Sequence, residues 1–383
     1  MMEITFWCLL AVVVYVYAGY PLILLMLTRR ADPLACKHEK NLTSVTLIVS
    51  AFNEEDCIAE RLENCLELDY PTDLLEIIVI SDASSDATDS IVAEYEHRGV
   101  SLLRMEQRGG KTLGLNAGID KARGDVVVFS DANAMYRPDA IRALVTPFAD
   151  QGIGAVIGES CYVESDSDAG RSESLYWRYE TAIKLLESRR GSVVGGDGAI
   201  YAVRRPLYRP MSADSLSDFV NPLQVVQAGY RCVYEPKALS YEATAGAFAK
   251  EYRRKVRIVN RAWRALWPLR CMLNPFRYGA FSLKLWSHKV LRWWVPFMLL
   301  ALLVINVNLV TKGTVYVITL IAQIIAYALA FAGFLYRDVD RLPNFMRIPY
   351  YFCLVNIASA VGLLEAMSGK SYTTWTTARS GER

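Results

Sequence analysis

Val45-Thr46-Leu47-Ile48-Val49, followed at once by Ser50-Ala51-Phe52-Asn53-Glu54-Glu55, sets the pattern from which the rest of the chain is interpreted. A short, β-branched, apolar run suits a strand buried on both faces, and the polar cluster behind it stands at the strand's carboxyl end. Ile58, Leu62 and Leu66 then fall on one helical face. The same alternation returns: Ile77-Ile78-Val79-Ile80 ends in Ser81-Asp82 and leads to Asp86 and a helix with Ile91, Val92 and Tyr95, and Val126-Val127-Val128-Phe129 ends in Ser130-Asp131-Ala132-Asn133. Apolar strands separated by amphipathic helices predict a parallel sheet covered on both faces, with ligands at the carboxyl ends of the strands.

Outward from this α/β region, the apolar residues gather at the two ends. Ile4–Leu27 is free of charge and long enough to cross a hydrocarbon core, and Glu3 before it with Arg29-Arg30 after it favour an anchor over a cleaved leader. Trp293–Val310 and Val315–Tyr336, joined by Thr311-Lys312-Gly313-Thr314, predict a membrane hairpin, and Ile348–Leu364 is a shorter candidate span. Arg29, Arg30, Lys37 and Lys40 predict that the following domain faces the cytosol, in the plasma or inner membrane. Strict alternation of spans then sends the tail with Lys370, Arg379 and Arg383 to the other side, against the positive-inside tendency, so a tilted, re-entrant or interfacial last span stands as the alternative and the side of the tail is left open. Between Phe276 and Trp294, aromatic residues interleave with Arg277, Lys284, His288, Lys289 and Arg292, as in an interfacial amphipathic helix. The expected organisation is an N-terminal membrane helix (1–28), a cytosolic domain (41–270), an interfacial segment (271–292), C-terminal membrane helices (293–370) and a tail (371–383).

Whole-chain numbers exclude several classes. The 383 residues carry 42 Lys+Arg against 40 Asp+Glu, a net charge of +2, which gives no reason to expect nucleic acid. Mean hydropathy is +0.18, high for a protein without membrane segments. Eight cysteines without a CxxC pair argue against a disulfide framework and structural zinc, and three histidines leave carboxylates as the candidates for chemistry. Asn53 and Asp86 have the alternative reading of helix caps. Asp82 and Asp131, both at strand ends, are expected near one another, where a hard cation such as Mg²⁺ or Mn²⁺, or sugar hydroxyls, would relieve their repulsion. Lys111 opens a helix expected over Thr112–Ala122 and is placed to meet a phosphate, although Gly109-Gly110-Lys111-Thr112 lacks the spacing of a P-loop.

Taken in order, Asn53-Glu54, Asp82-Ala83-Ser84-Ser85-Asp86, Lys111 with Leu115-Asn116, and Asp131-Ala132-Asn133 resemble the nucleotide-sugar half of family 2 glycosyltransferases. Gly195-Gly196-Asp197-Gly198, Ser217-Asp218-Phe219, Gly229-Tyr230-Arg231 and Tyr234-Glu235-Pro236 resemble the acceptor half, over roughly residues 41–267. The layout is similar to the membrane synthases of chitin oligosaccharide, hyaluronan and poly-N-acetylglucosamine. The resemblance implies a GT-A, Rossmann-like mixed sheet flanked by transmembrane helices, and a glycosyltransferase that moves a sugar from a nucleotide donor, UDP-linked by expectation, to a saccharide or lipid-linked saccharide acceptor. It further implies that Ala51, Asn53, Glu54, Asp82, Lys111, Asp131, Arg257 and Arg261 bind the nucleotide sugar. Asp131 and Asn133 would hold Mg²⁺ or Mn²⁺, with an amide replacing the second acid of the usual DxD motif. Gly196, Asp197 and Trp263 would meet the acceptor, and Asp218 would be the general base, with Asp214 as its rival. The usual Q-x-x-R-W segment is altered here to Arg254-Lys255-Val256-Arg257-Ile258-Val259-Asn260-Arg261-Ala262-Trp263, which puts processive synthesis in doubt. Non-processive transfer to a polyprenyl-linked acceptor, a nucleotidyltransferase and a nucleotide-sensing membrane protein are the competing readings.

Overall fold

The computed structural model describes residues 1–29, 42–163, 168–243, 247–337 and 342–374. Arg30, Lys37, Lys40 and the tail from Trp375, which enter the topology expectations, lie outside the described residues. In chain order the elements are α1 (Met2–Thr28), β1 (Val45–Ala51), α2 (Ile58–Leu66), β2 (Leu75–Ser81), α3 (Thr88–Glu94), β3 (Val100–Arg104), α4 (Lys111–Lys121), β4 (Val126–Asp131), β5 (Met135–Tyr136), α5 (Ala140–Val145) and β6 (Ile153–Val163). There follow α6 (Asp168–Arg189), β7 (Tyr201–Arg204), α7 (Ser217–Gln227), β8 (Arg231–Ala243), α8 (Phe248–Leu266) and α9 (Pro275–Tyr278), then α10 (Ala280–Lys312), α11 (Thr314–Leu335) and α12 (Asn344–Met367).

The strands form one sheet in the order β3-β2-β1-β4-β7-β6-β8-β5. The first four are parallel, as their apolar runs require. Beyond β4 the sheet is mixed: β7 runs antiparallel to β4 and β6, while β6 and β8 are parallel. Alternate residues of β1 and β2 serve opposite faces. Ile48, Ile78 and Ile80 join one core with Leu115 of α4, and Leu47, Val49, Ile77 and Val79 join the other with Ile58 and Leu62 of α2. Close approach of α4 to the sheet needs Gly118, where a side-chain carbon would come within 2.5 Å of Ile80 Cδ1 and 3.0 Å of Ile48 Cδ1.

Four helices among the described residues are long and apolar enough to cross a membrane: α1, α10, α11 and α12. Where a separate interfacial segment ending near residue 292 is expected, the chain makes the short α9, turns at Gly279 (φ +53°) and enters one continuous helix at Ala280. The basic residues of that stretch do not all face outward. Lys284, His288 and Arg292 turn toward α6, with Lys284 and His288 buried.

α12 differs from a simple crossing. At its start Leu342 N donates to Asp168 of α6, Tyr351 donates to Glu251 of α8 (3.0 Å), and Gly362 lies against the Val256 carbonyl, within 2.6 Å of where a side chain would begin. Past its end, Asn260 donates to the Lys370 carbonyl (3.0 Å) and the Thr373 carbonyl lies at Gly110. The chain after α12 thus rests on the sheet domain, which favours the tilted or re-entrant reading of the last span over strict alternation. Its half-buried flank against α8 is the physical reason. Cysteines introduced at the exposed positions Glu96 and Ser371 should therefore label from the same side of sealed vesicles; labelling from opposite sides would contradict this packing.

Candidate active site

The carboxyl ends of β1, β2 and β4 carry the first half of the site. Ala51 closes β1 and its carbonyl accepts Asp82 N (3.0 Å). Asn53 and Ala83 hold left-handed φ of 52° and 56°, uncommon for residues other than glycine. Asn53 Oδ1 accepts Ser85 N (2.9 Å), and Glu54 N donates to Thr88 Oγ1 (2.8 Å). Asp86 accepts from Thr88 N (3.0 Å) and Glu55 N (3.1 Å), so the cap reading fits Asp86 and binds the two loops together. Asp82 is fully engaged. It is 2% exposed and its oxygens accept Gly109 N (2.7 Å) and Gly110 N (2.9 Å). It thereby pins the turn, with Gly110 at φ +87°, from which Lys111 starts α4.

Lys111, Asp131 and Asp218 meet around Gly198. Lys111 Nζ pairs with Asp131 Oδ1 and donates to the Gly198 carbonyl (3.0 Å). A side-chain carbon on Gly198 would stand 3.4 Å from Lys111 Nζ, 3.8 Å from Asp218 Oδ2 and 3.9 Å from Asp131 Oδ2. These groups come from the start of α4, the end of β4 and the first turn of α7, far apart in sequence. Burial pushes the Asp218 carboxyl up, Lys111 and Arg261 hold it down, and Asp197 and Asp131 add to the rise. Asp214 behaves oppositely. Its carboxylate pairs with Arg264 (2.8 Å), and bonds from Ser212 and Arg264 outweigh its burial and lower its pKa. A carboxylate so occupied is a poor proton acceptor.

Behind Gly198 lies a further group of acids. Asp197 is 7% exposed, and its Oδ2 has no hydrogen-bond partner among the described residues. Glu242, on β8 two residues beyond the pairing of Ser240 with Tyr136, was not anticipated from the sequence; burial, then Asp197 and Asp131, push its carboxyl up to about 8. Gly196 N donates to the Asp218 carbonyl (2.6 Å), so the Gly195–Gly198 turn and the start of α7 move as one.

α8 supplies the cations. Arg261, 7% exposed, donates to the carbonyls of Ser215 and Asp214 and to Thr112 Oγ1 (3.1 Å), and burial followed by Arg257 depresses its pKa to about 10. Arg257 has no hydrogen-bond or ion-pair partner among the described residues, and burial and Arg254 lower its pKa while Asp131 raises it. Trp263 stands edge-on to Trp293 (6.1 Å) and Trp294 (6.5 Å), well inside α10, and lines an apolar cleft of about 470 Å³ with Trp267, Trp286 and Trp294.

No three His, Cys, Asp or Glu side chains among the described residues converge as a metal cage. Asp131 remains 35% exposed at the site's edge, with the half-buried Asn133 two residues on. That donor set fits a Mg²⁺ or Mn²⁺ ion that takes most of its oxygens from phosphate and water.

Residues 46–209 match the family model described as Glycosyl transferase family 2. The chain carries a glycosyltransferase family 2 domain. It is similar to the probable glycosyltransferase YdaM of Bacillus subtilis (27% identical; 57% of this chain, 55% of the relative). It is also similar to the poly-beta-1,6-N-acetyl-D-glucosamine synthase of Staphylococcus aureus (26%; 56% and 54%). The chain spans about half the length of these curated relatives. In fold it matches a mannosyltransferase of Pyrobaculum calidifontis solved in complex with GDP-Man and Mn²⁺, with a TM-score of 0.71 at 23% identity, over 97% of this chain and 100% of that one.

Gly198→Ala should leave the fold of this family 2 domain intact, because the nearest atom to the added methyl is 3.4 Å away. Filling the space between three functional groups should slow sugar transfer by about 10²-fold, the usual cost of displacing reacting groups by an ångström. Wild-type turnover in that variant would remove Gly198 from the reaction centre.

Proposed function

We propose that this chain is a membrane-embedded inverting glycosyltransferase that moves a sugar from a nucleoside diphosphate sugar, UDP-linked by preference, to a hydroxyl of a cell-surface saccharide. The observation that carries the reading is the convergence of Lys111, Asp131 and Asp218 on Gly198 at the ligand edge of the sheet. An acceptor hydroxyl beside Asp218 loses its proton to that carboxylate as it attacks the anomeric carbon, and the raised proton affinity of a half-buried Asp218 suits it to the task. Lys111 and Arg257, which has no side-chain partner among the described residues, supply positive charge for the departing diphosphate, and the depression of Arg261 by burial and Arg257 is relieved when an anion arrives. Asp131 and Asn133 would hold Mg²⁺ or Mn²⁺, which when bound offsets leaving-group charge.

Ala51, Asn53, Glu54 and Asp82 form the floor and wall for base and ribose, with Asp82 acting through the Gly109-Gly110 turn. Gly196 and Asp197 face the acceptor. The catalytic domain lies on the cytosolic side, with membrane lipids around α1, α10 and α11. A second reading, single-sugar transfer to a polyprenyl-linked acceptor, is favoured by the position of Trp263 in the apolar aromatic cleft against α10. A nucleotidyltransferase or a nucleotide sensor leaves Asp218 and Arg257 without employment.

Purified protein in lipid, given a panel of UDP-, GDP- and dTDP-sugars with Mn²⁺, should release nucleoside diphosphate, and release should stop in excess chelator. Asp218→Asn should retain UDP affinity by calorimetry while transfer falls about 10²–10⁴-fold, the size of a general-base contribution. Loss of UDP binding in step with rate would put Asp218 in the donor site instead.

A further inference from the structure

The stretch that joins α6 to the acceptor turn is held by side chains of two membrane helices. Glu187, 0% exposed near the end of α6, accepts Val194 N on Oε2 (3.0 Å). Its Oε1 accepts Tyr20 of α1 and His288 Nδ1 of α10 (2.9 Å). The other ring nitrogen of His288 faces Glu180 Oε2 (3.0 Å), and Arg292 pairs with Glu180 Oε1. A buried imidazole with a carboxylate oxygen beside each ring nitrogen is fixed in place from both sides. Burial opposes charge on Glu180 and Glu187, yet Arg292 and His288 hold Glu180, and His288 and Lys284 hold Glu187, below the usual carboxylate range. Lys284 caps the same stretch from α10, donating to the carbonyls of Glu187 (2.7 Å), Ser192 (3.0 Å) and Arg190 (3.2 Å).

From Val194 the path to the base is short. Gly195 follows at φ +95°, and Gly196 N donates to the Asp218 carbonyl (2.6 Å). A side-chain carbon on Gly195 would touch Phe219 at 3.5 Å and Lys289 Cε at 3.6 Å, so α10 abuts the turn directly. Breaking one partner of a buried ion pair strands the other, and displacing a turn that carries a base by an ångström is costly to rate.

We propose that Glu187, clamped by His288 and Tyr20, is the positioning residue of the acceptor side: the membrane helices fix the Val194–Gly196 turn, and through it Asp218, so that the base is aligned only when α1 and α10 are seated on α6. This rests on the reading of Asp218 as the base.

The test uses the full chain in lipid nanodiscs with Mn²⁺, comparing wild type with Glu187→Ala, Glu187→Gln and His288→Gln. Three readouts are taken: UDP affinity, transfer rate with the best donor of the panel, and amide hydrogen exchange. Glu187→Ala should keep UDP affinity within about twofold while transfer drops about 10²-fold. Glu187→Gln, which retains an oxygen for Val194 N, should recover most of that loss. Exchange should quicken at residues 193–196 in Glu187→Ala and His288→Gln while β1 and β4 stay protected. Should Glu187→Ala fail to fold, His288→Gln against Glu187→Gln carries the same comparison. Unchanged transfer, a parallel fall in UDP affinity, or unchanged exchange at 193–196 would overturn the proposal. If the wild type releases no nucleoside diphosphate from any sugar, the transferase reading fails, and the exchange data alone then decide whether α10 holds the turn.

Discussion

The pairing of Lys111 with Asp131 beside Gly198 is the contact on which the site depends. A parallel sheet delivers acidic residues to one edge, and acids gathered there repel one another unless a cation is built in. Lys111 is that cation, and its place is set by Asp82, which spends its own charge on two glycine amides to aim the turn before α4. Asp218 then enters from the opposite half of the sheet. Gly198 leaves the space between the three side chains open, which a side chain at that position would fill.

The donor half and the acceptor half are held by different means. Loops after β1 and β2 are tied to one another by short polar side chains, Asn53 to Ser85 and Asp86 to Glu55 and Thr88, within the sheet domain. The acceptor edge is tied to α1 and α10 through Glu187 and Lys284, and α12 with its following residues leans on α8, which carries Arg257 and Arg261.

Much of this was legible in the sequence because the physics is local. Val45–Val49, Ile77–Ile80 and Val126–Phe129 are continuous apolar runs, and continuous runs mean strands buried on both faces, each with a ligand edge behind it. Asp131 and Lys111 could be placed for the same reason, one ending a strand and the other opening a helix, whereas Asp218 was named only through the resemblance to family 2 glycosyltransferases, with Asp214 as its rival. What escaped was set by distant partners. Glu242 sits on β8, whose neighbours β6 and β5 no local pattern specifies, and Trp263 is claimed by Trp293 and Trp294, some thirty residues on. His288 read as one of the basic residues of an interfacial helix; two glutamates seven residues apart on α6 bury it between their carboxylates. The lower apolarity of α12 hinted that one flank is not lipid-facing, but only its packing on α8 reveals what covers it.

With Asp218 as the base, as proposed, the chemistry is one displacement, in which the hydroxyl attacks the face opposite the departing diphosphate. The most direct measurement is the anomeric configuration of the newly formed bond, read by proton NMR before the product can equilibrate, with a donor of known configuration. Inversion is the result this account predicts. Retention would require a second displacement or a nucleophile that the Lys111, Asp131 and Asp218 centre does not provide, and would contradict it.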